Sequence, residues 1–174
     1  GYYAAQEISE FIEINGSISM NLKPNVSWSR STLNRGIFAD RGSSQSIAAE
    51  ISMPGSDLQF YKFIYNGERY FPITNSWTLR LRTELGYGGG YGDTPGLPFY
   101  EHFYGGGFGS IRGFENSTLG PRSTPPLDAD GNPVYFRDRN GDPFGGNLLV
   151  EATAELIFPM PFVDDNRQFR PAIF

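Results

Sequence analysis

Alternation with a period of two runs through most of this chain and constrains its fold more than any other feature. In residues 77–87, Trp77, Leu79, Leu81, Thr83, Leu85 and Tyr87 share one face; Thr78, Arg80, Arg82, Glu84 and Gly86 share the other. Residues 147–158 repeat the pattern, with Leu148, Val150, Ala152, Ala154, Leu156 and Phe158 opposing Asn147, Leu149, Glu151, Thr153, Glu155 and Ile157. Residues 44–53 alternate as well, as do 21–28 around Leu22, Val26 and Trp28. Residues 58–73 form a long aromatic strand candidate, 169–174 begin another, and 7–19 could hold one more. The expectation is an all-β, antiparallel architecture of six to seven strands.

Turn chemistry separates the runs. Pro54-Gly55-Ser56-Asp57 reads as a tight reversal, and Thr74-Asn75-Ser76 as a short connection. Residues 88–146 differ, being rich in Gly, Pro and Asp with no convincing long strand. A loop of that length in a compact domain is functional or disordered. Short turns at one end and one very long loop at the other are how transmembrane β-barrels are built. A soluble β-sandwich shows the same alternation, with its polar face outward. Strand length separates the two. Runs of 10 to 16 residues in this sequence exceed the roughly 5–6 usual in soluble sheets and fit tilted membrane strands. The lipid bilayer is then a partner, with Arg80, Arg82, Glu84, Glu151 and Glu155 facing a watery lumen.

Composition narrows the chemistry. The 174 residues contain no cysteine, which excludes thiol nucleophiles, disulfides and thiolate metal sites, and one histidine, which excludes a multi-histidine zinc site. A net charge of -5 gives no support for nucleic-acid binding. The mean hydropathy of -0.38 does not separate a sandwich from a barrel, because a half-polar membrane strand averages out as soluble. No apolar run is long enough for a membrane-spanning helix. His102 beside Glu101 has no nucleophile ordered around it and reads as structural. Asp128-Ala129-Asp130-Gly131-Asn132 and Asp138-Arg139-Asn140-Gly141-Asp142 resemble pieces of calcium loops but lack the distal glutamate; exposed turns are the better reading. Gly86 to Gly92 precedes no phosphate-binding helix and reads as a flexible strand end and loop start. Tyr61, Phe63, Tyr65, Tyr70 and Phe71 read as a lipid-facing aromatic band. Neither cofactor nor metal is expected, nor an enzymatic activity.

The loop contains Pro98-Phe99-Tyr100-Glu101, then Gly105-Gly106-Gly107, then Ile111-Arg112-Gly113-Phe114. A strand ending in Glu-x-x-x-Pro-x-Pro-Phe follows, at residues 155–162. In this order and spacing the chain resembles the outer-membrane β-barrel insertases, a superfamily that joins POTRA domains to a barrel. The resemblance extends from about Asn21 to Phe174. It implies a sixteen-stranded barrel of which this chain is a partial domain, residues 1–174, with the long extracellular loop at 88–146 folding back into the lumen. It implies a parent with POTRA domains upstream and two or three further strands downstream, and the chain is read as an excised piece of it. The implied activity is the folding and insertion of other β-barrel proteins into the outer membrane of a Gram-negative bacterium. Its implied partners are unfolded barrel proteins and accessory outer-membrane lipoproteins. A two-partner secretion transporter and an autotransporter-assembly relative are the related alternatives, and a soluble binding sandwich is the remote one.

Within that resemblance Arg112 needs a partner, because an unpaired buried charge is costly. Glu155, projecting from the polar face of the next strand, is the best candidate in this sequence, and the two are expected to form a latch. Gly113 offers positive φ or close approach, and Phe114 an apolar anchor. A six- or seven-stranded sheet has open edges, so self-association of the isolated chain is expected.

Overall fold

The computed structural model describes residues 5–37, 39–135, 141–159 and 171–174. One helix, α1 (Gln6–Asn15), precedes six strands: β1 (Asn25–Ser31), β2 (Gly42–Ile51), β3 (Phe60–Pro72), β4 (Thr78–Gly90), β5 (Leu148–Ile157) and β6 (Ala172–Ile173). They form one sheet in sequence order. β5 and β6 pair antiparallel, with Leu156 opposite Ile173. The short connections β2–β3 and β3–β4 join neighbouring strands that must likewise run antiparallel. No described helix is long and apolar enough to cross a membrane.

Along β2, β4 and β5 the alternation is expressed with its polar side covered. Along β5, Leu148 is 63% and Val150 67% exposed, while Glu151 is 7% and Glu155 4% exposed. β4 follows suit, with Thr78, Gly86 and Gly88 buried and Leu81, Leu85 and Tyr87 exposed. On β2, Ile47 and Ile51 stand bare while Ser52, just past its end, is buried. A soluble sheet does the reverse, since burying carboxylates and exposing Leu and Val costs free energy in water on both counts. Only an apolar surrounding outside and a polar interior make this arrangement favourable. The sandwich reading fails on this observation.

Two expectations change here. The segment at 7–19 is helical over Gln6–Asn15, not a strand. Ile8, Phe11 and Ile12 recur at helical spacing, Glu7 sits in the first turn where it favours the helix dipole, and Gly16 ends the helix at φ +79. Tyr70 leaves the lipid-facing aromatic band. It lies on the polar face of β3, where its hydroxyl donates to Glu68 Oε1 at 2.9 Å.

The chain divides into two compact units. The first comprises Gly1–Asn25, Glu50–Lys62 and Gly86–Leu149; the second comprises Val26–Ala49, Phe63–Leu85 and Val150–Phe174. The first holds the small apolar core: Leu58, Phe60 and Leu97, with Phe11 and Phe103 against them. The second holds an ion network on its polar face. Arg80 Nη2 and Nε reach Glu68 Oε1 at 2.5 Å, and Arg80 Nη1 reaches Glu155 Oε2 at 2.6 Å. Just beyond the ends of β4 and β5, Trp77 stacks on Phe158 at 5.6 Å.

Candidate functional site

The long loop is ordered by short pairings along its length. Phe103 and Gly146 exchange backbone hydrogen bonds of 2.8 and 2.9 Å and close its neck. Inside the neck, single bridges join Gly105 to Leu119, Arg122 to Pro143 and Leu127 to Pro133. The long segment without repeating strands is therefore a nest of small closed loops, which satisfies backbone groups that would otherwise be orphaned.

Its root rests on glycines of β4. A Cβ at Gly86 would come within 2.6 Å of the Phe103 ring, and one at Gly88 within 2.8 Å of Leu97. The expected flexible strand end is thus strand through Gly90, and its missing side chains make room for the loop. Pro98 is fully buried beside Leu97, and Phe99–Glu101 form a single 3-10 turn. Phe99 meets Phe11 edge-on at 5.3 Å and stacks on Phe144 at 6.0 Å; Tyr100 meets Phe11 at 6.3 Å. His102 ties two arms of the loop together: Nδ1 lies 2.9 Å from the Phe144 carbonyl oxygen and Nε2 3.2 Å from that of Leu97. With both ring nitrogens engaged by backbone, it serves as a brace.

Glu101 occupies the charged centre of the root. Its Oε1 accepts from Lys23 Nζ at 2.7 Å, its Oε2 lies 3.3 Å from Lys62 Nζ, and its carbonyl oxygen accepts from Lys62 at 2.8 Å. Burial works to raise its pKa, but the hydrogen bonds and charges of the two lysines outweigh that and hold it below the ordinary value. Lys23 is raised in turn, chiefly by its hydrogen bond to Glu101. Helix α1 joins the loop at its other end. The Glu7 carboxylate accepts from the Thr124 N–H at 2.8 Å and its hydroxyl at 2.6 Å, and Gln6 Nε2 donates to the Pro125 carbonyl at 2.8 Å.

The Ile111-Arg112-Gly113-Phe114 motif lies at the tip of the small loop closed by Gly105 and Leu119. Gly106 has φ +102, and its N–H donates to Ser110 Oγ at 2.9 Å; Gly107 N–H donates to the Ile111 carbonyl at 3.1 Å. Gly113 has φ +92 with open space around it, so left-handed backbone, not close approach, requires glycine there. Ile111 and Arg112 are half-buried, and Phe114 is 53% exposed. The Arg112 guanidinium lies 5.0 Å from the centre of the Phe108 ring. Arg112 belongs to the first unit and Glu155 to the second. On Glu155 the Arg80 guanidinium takes Oε2, so a lumen-facing charge not expected as its partner sits there.

The acidic turn at Asp128 is closed by its own backbone. Asp128 Oδ1 accepts from the N–H groups of Asn132 and Asp130 at 2.8 and 3.0 Å, which lowers its pKa, Asn132 foremost. Residues 138–140 of the second acidic turn lie outside the described residues, as do 160–162 of the proline-bracketed strand end and 169–170. Among the described residues no group of three His, Asp or Glu could hold a metal.

Sequence and structure comparisons agree with this geometry. The Omp85 superfamily domain matches residues 2–174. The chain is 40% identical over 152 residues to the outer membrane protein assembly factor BamA of Neisseria meningitidis serogroup B (strain ATCC BAA-335 / MC58), covering 87% of this chain and 18% of that protein. It superposes on the crystal structure of BamA from Haemophilus ducreyi lacking POTRA domains 1–3 with a TM-score of 0.84 and 27% identity, covering 97% of this chain and 34% of that one. The chain therefore spans about a fifth of the first relative and a third of the second. With polar faces covered, apolar faces bare and the motif loop seated on β4, the chain belongs to the Omp85 superfamily as part of an outer-membrane β-barrel.

Proposed function

We propose that the parent protein folds and inserts other β-barrel proteins into the Gram-negative outer membrane, and that this chain supplies β1 to β6 and the motif-bearing loop of its barrel. The similarity to BamA across nearly the whole chain, motif loop included, carries this reading. The work is mechanical: no bond is made or broken, and the protein lowers the barrier to strand insertion. Its partners are unfolded barrel proteins and accessory outer-membrane lipoproteins.

The extracellular loop at 88–146 folds into the lumen, where Arg112 and Glu155 form the latch. A carboxylate has two oxygens and accommodates a second cation beside Arg80. The test is Arg112→Ala in the full-length parent, in cells depleted of the native copy. The expected result is reduced levels of other outer-membrane barrels while the variant itself stays heat-modifiable, the mark of an intact barrel. Normal growth with normal barrel levels overturns the latch. Exchanging the charges of Arg112 and Glu155 together is expected to restore part of the loss.

A further inference from the structure

The charged cluster at the root of the loop has no part in the pairing of Arg112. It joins three stretches distant in sequence: Lys23 ahead of β1, Lys62 on β3 and Glu101 in the loop. Two ammonium groups converge on one carboxylate, at 2.7 and 3.3 Å, and Lys62 also reaches the carbonyl oxygen of the same residue. Glu50 lies 3.4 Å from Lys23, within ion-pair range but outside hydrogen-bond geometry, so the four charges sum to zero. The aromatic rings of the small core complete the cage, with Lys62 Nζ 4.7 Å from the centre of Phe103 and Lys23 Nζ 5.6 Å from that of Phe60. Exposed ion pairs hold little because water screens them. Here the side chains of Glu101 and Lys62 keep only 15% and 17% of their surface, and either one alone would be a poorly solvated charge.

We propose that Glu101, gripped by Lys62 and Lys23, is the positioning residue that pins the root of the loop, independently of Arg112 at its tip. The inference rests on reading the loop as a working part of the insertase, and adds a second, separate hold. Leu97 and Phe103 lie over Gly88 and Gly86, and the clasp at Glu101 sits between them in sequence. The root is thus fixed by shape and charge together, so a loosened tip still pivots about a constant base.

The test is the rate at which proteinase K cuts the loop in the purified full-length parent in detergent micelles, with heat-modifiability as the control for barrel folding. Glu101→Gln keeps the shape and removes the charge. It is expected to be cut about tenfold faster, the loss of a hydrogen-bonded charge. Lys62→Met should behave alike, and the exchanged pair Glu101→Lys with Lys62→Glu should recover part of the protection. Recovery by the exchanged pair is a response that a purely steric role does not produce. Cutting of Glu101→Gln and Lys62→Met within twofold of the native rate overturns the proposal. If those variants yield no folded barrel, Lys23→Met decides, because Lys23 lies outside the strands: faster cutting supports the clasp and an unchanged rate overturns it. The readout needs no client protein, so its outcome is independent of whether the parent proves to be an insertase.

Discussion

At the scale of single residues, Arg80 and Glu155 show how polar groups stabilise this sheet. Glu155 is 4% exposed, and Arg80 spans from it to Glu68. Arg80→Met removes the cation from both carboxylates. The expected cost is about 2 kcal/mol by urea unfolding of the parent in micelles, less than the ~3–5 of a fully buried pair because a quarter of the Arg80 side chain stays in water. The sequence does not mark Arg80 as the partner of Glu155, nor Lys62 and Lys23 as those of Glu101. The signal was present in part: Arg80 and Glu155 fall in the inward phase of their alternations, as Lys62 does in that of Phe60. Alternation assigns a face to a residue but no neighbour across strands, because the register between strands is set by pairing and not by local pattern.

At the scale of elements, β4 does two jobs. Its first half carries charges on the covered face, and its second half replaces them with Gly86, Gly88 and Gly90. Gly88→Val would force Leu97 out of its place. An overpacking cost of about 1–3 kcal/mol is expected, with the loop rather than the sheet yielding first. Faster proteolysis of the loop at unchanged heat-modifiability checks this. Acid provides a second test. Because the carboxyl of Glu101 titrates below its ordinary value of 4.5, its hold on the loop is complete above that value and is lost as pH falls through the lowered one. Protection of the loop should therefore persist at about pH 5 and decline only below 4.5. A loss of protection between pH 7 and 5 would assign the hold to another group. The segment of α1 is ambiguous in sequence because Ile8, Ile12 and Ile14 alternate in phase while Ile8, Phe11 and Ile12 fit a helix over so short a stretch. The contacts of Glu7 with Thr124 and of Phe11 with Phe99 favour the helix, and both come from the distant loop.

At the scale of the whole molecule, the bare apolar face and the covered polar face predict opposite responses to one substitution. Val150→Arg places a charge against lipid and is expected to cost about 2–4 kcal/mol in the parent barrel. Thr153→Arg on the other face should cost less than 1. Folding titrations into lipid vesicles measure both, and equal costs would contradict the assignment of faces. The chain alone leaves β1 and β6 as open edges of its sheet, so in micelles it is expected to self-associate, visible as oligomers in sedimentation. The sequence by itself determined the class of fold, the polar and apolar faces of β4 and β5, and the loop whose motif names the family. These follow from local periodicity and from short contiguous patterns. Only the tertiary structure decided that α1 is a helix, that glycines of β4 are the floor of the loop, and which cation meets Glu101 or Glu155. Each of those depends on groups brought together from distant parts of the chain, and contact across such separations is set by strand register and packing, which no local pattern encodes.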